Sequence, residues 1–311
     1  RGDDWPVDEI ELDDVFVEYD AGLLGLAIDP LIADNGYFYL AYTLSKSRVV
    51  LRRYTLDRDD PAATLASTVD IIDIDVETSP RWHNISALGF EDQDVMWVLM
   101  GDKGIACPDA PDLDATVAQD PTNLLGAMIR IVPSRDPDAG GYMAPPDAPS
   151  YGPGADPAVF AKGVRSPWKG IYHEGRWYYG DVGLDDVEEV NVISAAGENF
   201  GWPYVEGPCA DDVHDNDPDC DDFVDPWIHY GRSSSHPFVV DDDEAVPTTK
   251  RSVYVGWIYQ ANEVDPYAGA WNDVLVWGDA FIGFMRAAPL GGDGEGWHLG
   301  HVAFPGAWTQ G

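Results

Sequence analysis

The chain alternates short apolar runs with polar turns along nearly its whole length. Runs of four to eight apolar, aromatic or β-branched residues predict strands, whereas almost no window keeps the 3.6-residue period of an amphipathic helix. The predicted strands are 37–42, 49–56, 71–76, 95–100, 127–132, 177–180, 187–193, 252–259, 274–277, 281–287 and 297–303. Turn sequences such as Asp-Asn-Gly and Glu-Asp-Gln-Asp separate them. The pattern therefore predicts an all-β chain of many short strands.

One sequence form recurs along the chain: a polar turn, an aromatic-rich strand, and Gly-Asp at the strand end. It stands at 91–102, 173–183 and 271–283, with a looser copy at 34–43. Repeated units of this kind are typical of β-propeller blades, in which each sheet packs face-on against the next. We expect the Gly-Asp turns to gather at one end of the central channel.

We expect one domain over residues 1–311, because no linker divides the sequence. Segments rich in Pro, Gly and Asp are expected as loop insertions between strands, near 106–123, 134–158 and 206–250. No apolar run reaches the roughly 18 residues of a membrane span, so no span is expected. Because the chain begins at Arg1 without Met, we expect a processed chain or an excised piece.

Acidic residues dominate the charge of the chain. The 56 Asp and Glu residues against 18 Lys and Arg give a formal net charge of −38. Such a field repels nucleic acid and anionic lipid, which excludes both as partners. The charge indicates a salt-adapted surface kept soluble by hydrated carboxylates, with specific cation binding as the alternative for local clusters.

The three cysteines are Cys107, Cys209 and Cys220. Cys209 and Cys220 flank an acidic, loop-like segment, and this spacing favours a disulfide. A disulfide implies an oxidising compartment, so an extracellular or periplasmic location is expected. Cys107 is then either free or paired with a residue outside this chain.

Acidic residues alternate between these two cysteines. Asp215, Asp217 and Asp219 stand at the spacing of a calcium-binding loop, but the glycine required for its sharp turn is missing. The segment is therefore either a weak calcium site or a solvated acidic loop.

Several longer motifs follow one another in order. They are GLLGLAIDP (22–30), HNISALGF (83–90), NLLGAMIRI (123–131), GVRSPWKG (163–170), GDVG (180–183) and GENFGWPYVEG (197–207). The series resembles the soluble quinoprotein glucose dehydrogenase, or glucose/sorbosone dehydrogenase, family. Bacterial aldose sugar dehydrogenases and the propeller of hedgehog-interacting protein share that pattern. The resemblance covers about residues 20–290.

The resemblance implies a six-bladed β-propeller of four-stranded antiparallel blades, either complete or with incomplete ends in this chain. It implies an enzyme that holds pyrroloquinoline quinone (PQQ) and calcium and oxidises an aldose at its anomeric carbon. His83 falls on the position of the general base that removes the hydroxyl proton while hydride passes to the quinone. An external electron acceptor would complete the cycle.

The resemblance also assigns residues around His83. Arg165, Ser166, Asp20 and Asp102 fall in the cofactor-binding set, and a guanidinium fork such as that of Arg165 suits carboxylates. Asp20 could instead contact the sugar or orient the histidine. The metal ligands implied are the backbone carbonyls of Gly183 and Leu184, since backbone oxygen is a normal calcium ligand.

The sequence departs from the family pattern close to His83. Ile85 and Ser86 stand where the family usually has glycines, which leaves less room for a flat cofactor, and Lys103 replaces a glycine in Gly-Asp-Lys-Gly. No lysine matches the one that holds the quinone in glucose dehydrogenase. Two functions therefore remain open: a PQQ- and calcium-dependent aldose dehydrogenase, or a non-catalytic propeller of the same family that binds a protein or glycan.

Overall fold

The computed structural model describes residues 11–76, 82–104, 115–209, 220–232 and 251–301, except 282, 293 and 295. Its helices are short: α1 (Ile32–Asn35) and α2 (Pro61–Ala66), with 3-10 turns at Ala115–Gln119 and Cys220–Asp222. No helix in these ranges has the length and apolar composition of a membrane span. The rest of the regular structure is strand.

The strands form four antiparallel sheets. The first contains β1 (Leu23–Ile28), β2 (Tyr37–Thr43), β3 (Arg48–Thr55) and β4 (Val69–Asp75) in that order. The second contains β5 (Ile85–Phe90), β6 (Met96–Met100) and β7 (Ala127–Pro133), with β8 (Tyr142–Met143) and β9 (Val159–Lys162) both paired to β7. The third contains β10 (Pro167–His173), β11 (Arg176–Asp181), β12 (Val187–Ile193) and β13 (Ile228–Gly231). The fourth contains β14 (Val253–Tyr259), β15 (Val274–Asp279), β16 (Phe284–Pro289) and β17 (Trp297–His301).

The first strand of each sheet lies next to the first strand of the following sheet. β1 packs against β5, β5 against β10, and β10 against β14. Sheets that meet in sequence along their first strands, with later strands further out, are the blades of a β-propeller. The predicted all-β propeller fold is confirmed, and the described residues supply four of its blades.

Apolar side chains fill the spaces between consecutive sheets. Tyr39 and Leu51 of the first sheet share a core with Val98 and Ile129 of the second. A second core joins the second sheet to the third and includes Leu99, Met128, Trp177 and Tyr179. A third core joins the third sheet to the fourth and includes Tyr178, Val190, Leu275 and Trp277. Each of these large aromatic groups removes an area of about 150–250 Å² from water, so the blades hold one another in place.

Every predicted strand overlaps an observed strand, but β1, β5, β8, β9, β10 and β13 were not among the predictions. Two segments predicted as loop insertions contain strands. β8 lies within 134–158, and β13, the outer strand of the third blade, lies within 206–250. A four-residue strand surrounded by Asp, Pro and Gly lacks the apolar run that reveals a longer one.

Candidate active site

His83 lies just before β5, in a backbone conformation that is uncommon for a residue with a side chain. Its φ is 51°, in the left-handed region, where histidine is found more often than bulky residues are. The Gly-Asp turn after β6 makes room for it, because a Cβ at Gly101 would lie 2.6 Å from the His83 carbonyl oxygen. The Gly101–Asp102 turn therefore packs directly against His83, and the close approach requires glycine at position 101.

Asp102 fixes the ring of His83. Its Oδ1 lies 2.5 Å from His83 Nδ1 and accepts the Gly104 amide at 2.8 Å, while its Oδ2 accepts the indole N–H of Trp202 at 2.8 Å. Because Asp102 accepts hydrogen bonds from Gly104 and Trp202, it is an ionised acceptor and also accepts from the imidazole of His83. Nδ1 of His83 therefore carries the proton, and Nε2 is the basic nitrogen. Both side chains are buried, His83 at 7% exposure and Asp102 at 0%.

Asp20 and Lys103 hold the backbone of His83 from two sides. Asp20 Oδ2 accepts the His83 amide at 2.6 Å, and the Lys103 amide donates to the His83 carbonyl at 3.3 Å. Lys103 is fully buried, and its Nζ donates to Asn84 Oδ1 at 2.6 Å. Burial lowers the pKa of Lys103 to about 8, although the charges of Asp20 and Asp102 oppose this. Burial also raises the pKa of Asp20.

Arg165 connects this histidine to the next blade. Its carbonyl accepts the Asp102 amide at 2.9 Å, and its guanidinium Cζ lies 5.2 Å from the centre of the Trp202 ring. Its Nη1 donates to the carbonyls of Val182 at 2.5 Å and Gly183 at 2.9 Å. His83 is thus linked to Arg165 through Asp102, and Arg165 contacts the Gly183 carbonyl directly.

The turn that follows β11 is held by a second carboxylate. Glu206 accepts the backbone amides of residues 184–187 at distances between 2.8 and 3.3 Å. Leu184 therefore contributes its amide to Glu206, and Gly183 contributes its carbonyl to Arg165. The turn is stabilised by an anion on its amide side and by a cation on its carbonyl side.

A small cavity beside this turn is lined with ionisable side chains: Arg165, Asp181, Glu189 and Glu206. Burial raises the pKa of each of the three carboxyl groups. Over the described ranges, no group of three or more His, Cys, Asp or Glu side chains is arranged to hold a metal ion.

The remaining predicted residues lie as follows. Ser166 is buried, and its amide donates to Asp181 at 2.6 Å. Cys209 and Cys220 form the predicted disulfide, with Cα atoms 5.6 Å apart. Asp215, Asp217, Asp219 and Cys107 lie outside the described residues.

The two residues that replace family glycines differ in their surroundings. Ile85 is fully buried in the apolar core shared by the first two blades, so its side chain belongs to that core. Ser86 occupies a β-bulge in β5, and its buried Oγ has no hydrogen-bond partner within the described ranges.

Sequence reasoning missed Trp202, Asn84 and Glu206 as parts of this site. Trp202 and Glu206 stand inside the GENFGWPYVEG motif, so their position in a motif was the available signal. Their roles depend on contacts with Asp102 and the 184–187 turn, which lie far away in sequence. No spacing rule links them.

Comparison with known proteins agrees with this architecture. The PQQ-bound aldose sugar dehydrogenase of Streptomyces coelicolor superimposes with a TM-score of 0.63 at 19% identity, over 93% of this chain and 69% of that chain. The apo soluble aldose sugar dehydrogenase of Escherichia coli gives a TM-score of 0.67 at 16% identity, over 94% of this chain and 76% of that chain. At these identities the likeness establishes the fold alone.

Sequence comparison finds curated relatives in a plant. The HIPL1 protein of Arabidopsis thaliana is 26% identical over 246 residues, covering 63% of this chain and 34% of that protein. The chain therefore matches about a third of the length of this relative. The family pattern of glucose/sorbosone dehydrogenases matches residues 4–262. This match covers most of the sequence, and the chain belongs to the glucose/sorbosone dehydrogenase family.

Proposed function

We propose that this chain oxidises an aldose at its anomeric carbon, with PQQ as cofactor and His83 as general base. The observation that carries the proposal is the buried His83–Asp102 pair next to Arg165, in a member of this family. Imidazole titrates near neutral pH, which suits a base that must accept a proton and release it in each turnover.

Two buried hydrogen-bond donors in this part of the molecule could contact a quinone that carries carboxylates. The buried Nε of Arg165 and the Oγ of Ser86 have no partner among the described residues, so each can donate a hydrogen bond to an anionic group. Buried donors without partners are costly unless a ligand or water satisfies them. Arg165 and Ser86 would therefore hold the cofactor, which supplies an acceptor for hydride when it is bound.

His83 acts on the hydroxyl at the anomeric carbon of the sugar. Its Nε2 would take the hydroxyl proton while hydride leaves the anomeric carbon for the acceptor that the cofactor would supply, and the sugar would become a lactone. Asp102 keeps Nδ1 protonated and stabilises the imidazolium that forms, while Trp202 and Gly104 hold Asp102 in place. An external electron acceptor would then take the two electrons from the reduced cofactor.

The residues present do not fit calcium at the Val182–Gly183 carbonyls. Calcium takes six to eight oxygen ligands at about 2.3–2.6 Å, but here Arg165 Nη1 already donates to both carbonyls. No step of the proposed reaction therefore depends on a metal ion.

The location we propose is extracellular or periplasmic. The Cys209–Cys220 disulfide supports it, because such bonds persist in oxidising compartments. The proposed substrate is a small sugar.

Reconstitution tests the proposal. The full-length protein is incubated with PQQ and assayed for aldose-dependent dye reduction in high salt, beside His83→Ala. We expect turnover in the intact protein and a loss of at least 100-fold in the variant, on the order of what a general base contributes. An intact protein that reduces no dye with any aldose would contradict the proposal.

A second candidate is a non-catalytic propeller that binds a protein or glycan. The observation that favours it is that Arg165 donates to the Gly183 carbonyl, one of the two carbonyls, Gly183 and Leu184, that the family resemblance implies as calcium ligands. A protein that binds a glycan or protein ligand but shows no quinone binding would support this second function.

A further inference from the structure

The turn at residues 182–187 presents its backbone dipoles in two directions. The carbonyls of Val182 and Gly183 face the guanidinium of Arg165, and the amides of 184–187 face the carboxylate of Glu206. Carbonyl groups that converge on one point form a cation site, and converging amides form an anion site. Both kinds of site are filled here by side chains of the chain itself.

The neighbouring carboxylates are already engaged. The two oxygens of Asp181 accept the backbone amides of 165–166 at 2.9 and 2.6 Å. Those of Glu189 accept the Gly207 amide at 2.6 Å and Asn191 Nδ2 at 2.8 Å. Each of these oxygens thus already accepts a hydrogen bond that orients it toward the backbone or Asn191, so none is wholly unpartnered for a metal ion.

A second guanidinium adds to the positive charge around the turn. The Arg232 amide donates to the Asp186 carbonyl at 2.8 Å, and its Nη1 contacts the carboxylate of Glu188. Burial lowers the pKa of Arg232 to about 10, and the charge of Arg165 acts in the same direction. A divalent cation at the Val182 and Gly183 carbonyls would meet both positive charges.

We infer that Arg165 is a built-in cation that takes the place of a metal ion at the Val182 and Gly183 carbonyls, so that this turn folds without calcium. The inference concerns the turn itself and does not depend on sugar oxidation. This role agrees with the contacts of Arg165, whose Nη1 donates to two successive carbonyls while its guanidinium packs against the Trp202 ring.

Calcium titration of the intact protein is the first test. Carbonyl carbon signals of Val182 and Gly183 are followed by NMR as CaCl2 is added to the millimolar range. We expect no saturable shift in either signal. A saturable shift of both signals would show that calcium reaches these oxygens and would overturn the inference.

A variant pair gives the second test. Arg165→Met removes the guanidinium and exposes the two carbonyls beside Glu206, whereas Arg165→Lys keeps a positive charge. We expect Arg165→Met to bind calcium at least tenfold more tightly than the intact protein and Arg165→Lys to bind it no more tightly. Equal calcium affinity in all three proteins would contradict the inference. If Arg165→Met does not fold, the titration of the intact protein still decides.

Discussion

His83 owes its position to backbone conformations that are unfavourable by themselves. His83 and Lys103 both have left-handed backbones, with φ of 51° and 64°, and each costs about 1–2 kcal/mol. Asp20, Asn84 and Asp102 hold them there through short hydrogen bonds. Strain that its surroundings enforce is typical of functional sites, and the strain here lies next to the proposed base.

Among the residues of the candidate site, the sequence predicted His83 as the base but not all the side chains that contact it. His83, Asp20 and Arg165 were found through motifs that resemble a family. The indole of Trp202 and the ammonium of Lys103 reach the site through contacts that no local pattern encodes. Lys103 was noticed only as a departure from glycine, and its full burial could not be predicted.

Replacing Asp102 by Asn should show how much the orientation of His83 contributes to the rate while His83 itself is kept. The amide no longer stabilises a charged imidazole and also allows the wrong tautomer. We expect kcat for aldose oxidation to fall by roughly 10²–10⁴-fold while quinone binding stays within threefold. Asp94→Asn is the matched control, because the Asp94 side chain is 67% exposed and forms an ion pair with Arg135, away from His83. Unchanged kcat in Asp102→Asn would contradict this role.

The buried ammonium of Lys103 should make stability depend on pH. Burial lowers its pKa in the folded state to about 8, below the ordinary value of 10.5. Between these values the unfolded chain binds more protons, so the free energy of unfolding rises as pH increases through this window, by about 3 kcal/mol at most. Urea unfolding at pH 8 and pH 10 measures the slope.

Lys103→Met should lose that part of the slope, because no ammonium is left to be desolvated. Lys46→Met, at an exposed lysine, should keep it. The interpretation fails if Lys103→Met and the intact protein show the same pH slope.

At the scale of elements, the strands nearest the channel share one irregularity. β1, β5 and β10 each carry a β-bulge near their start, at Leu24, Ser86 and Lys169. The Lys169 ammonium donates to the carbonyls of Leu24 at 3.0 Å and Ser86 at 3.4 Å, so one bulge residue ties together three inner strands. Lys169 also has a left-handed backbone, with φ of 60°.

These bulges explain which strands could be predicted. Strands further out, such as β2, β6 and β11, are continuous apolar or aromatic runs between two packed faces, and the pattern finds them. The inner strands β1, β5 and β10 have Leu24, Ser86 and Lys169 at the bulge, which breaks their period, whereas the inner strand β14 was predicted despite its own irregularity. The propeller was predictable from its middle strands and from β14, whereas the inner strands β1, β5 and β10 were not predicted.

Lys169→Met should loosen the inner ring of strands. It leaves two carbonyls without their donor, and a lost hydrogen bond to a charged group costs about 1.5–3 kcal/mol. We expect the free energy of unfolding to fall by that amount, together with faster amide exchange in β1 and β5. Lys46→Met is again the control and should show neither change. Equal stability of both variants would mean that Lys169 does not join the strands.

At the scale of the whole molecule, charge is the dominant feature. A net charge of −38 on 311 residues produces mutual repulsion in the folded state. Many of the cations are engaged in ion pairs, including Arg48 with Asp73, Arg52 with Asp70, and Arg130 with Glu91. The excess carboxylates are therefore left to solvent and salt.

Salt should stabilise the protein. The screening length falls from about 10 Å at 0.1 M to about 3 Å at 1 M, which removes most of the repulsion between exposed carboxylates. We expect Tm at pH 7 to rise by roughly 5 °C or more between 0.1 and 2 M NaCl, measured by calorimetry. The same titration near the sequence pI of 4.1 should give a smaller rise, because the net charge is small there. A Tm that falls with salt at pH 7 would contradict this account.

Quinone binding tests the central claim most directly. PQQ is titrated into the intact full-length protein and into His83→Ala, and binding is followed by quenching of tryptophan fluorescence. The account predicts saturable one-to-one binding to both proteins, with aldose oxidation by the intact protein alone. Absence of saturable binding to the intact protein would contradict it.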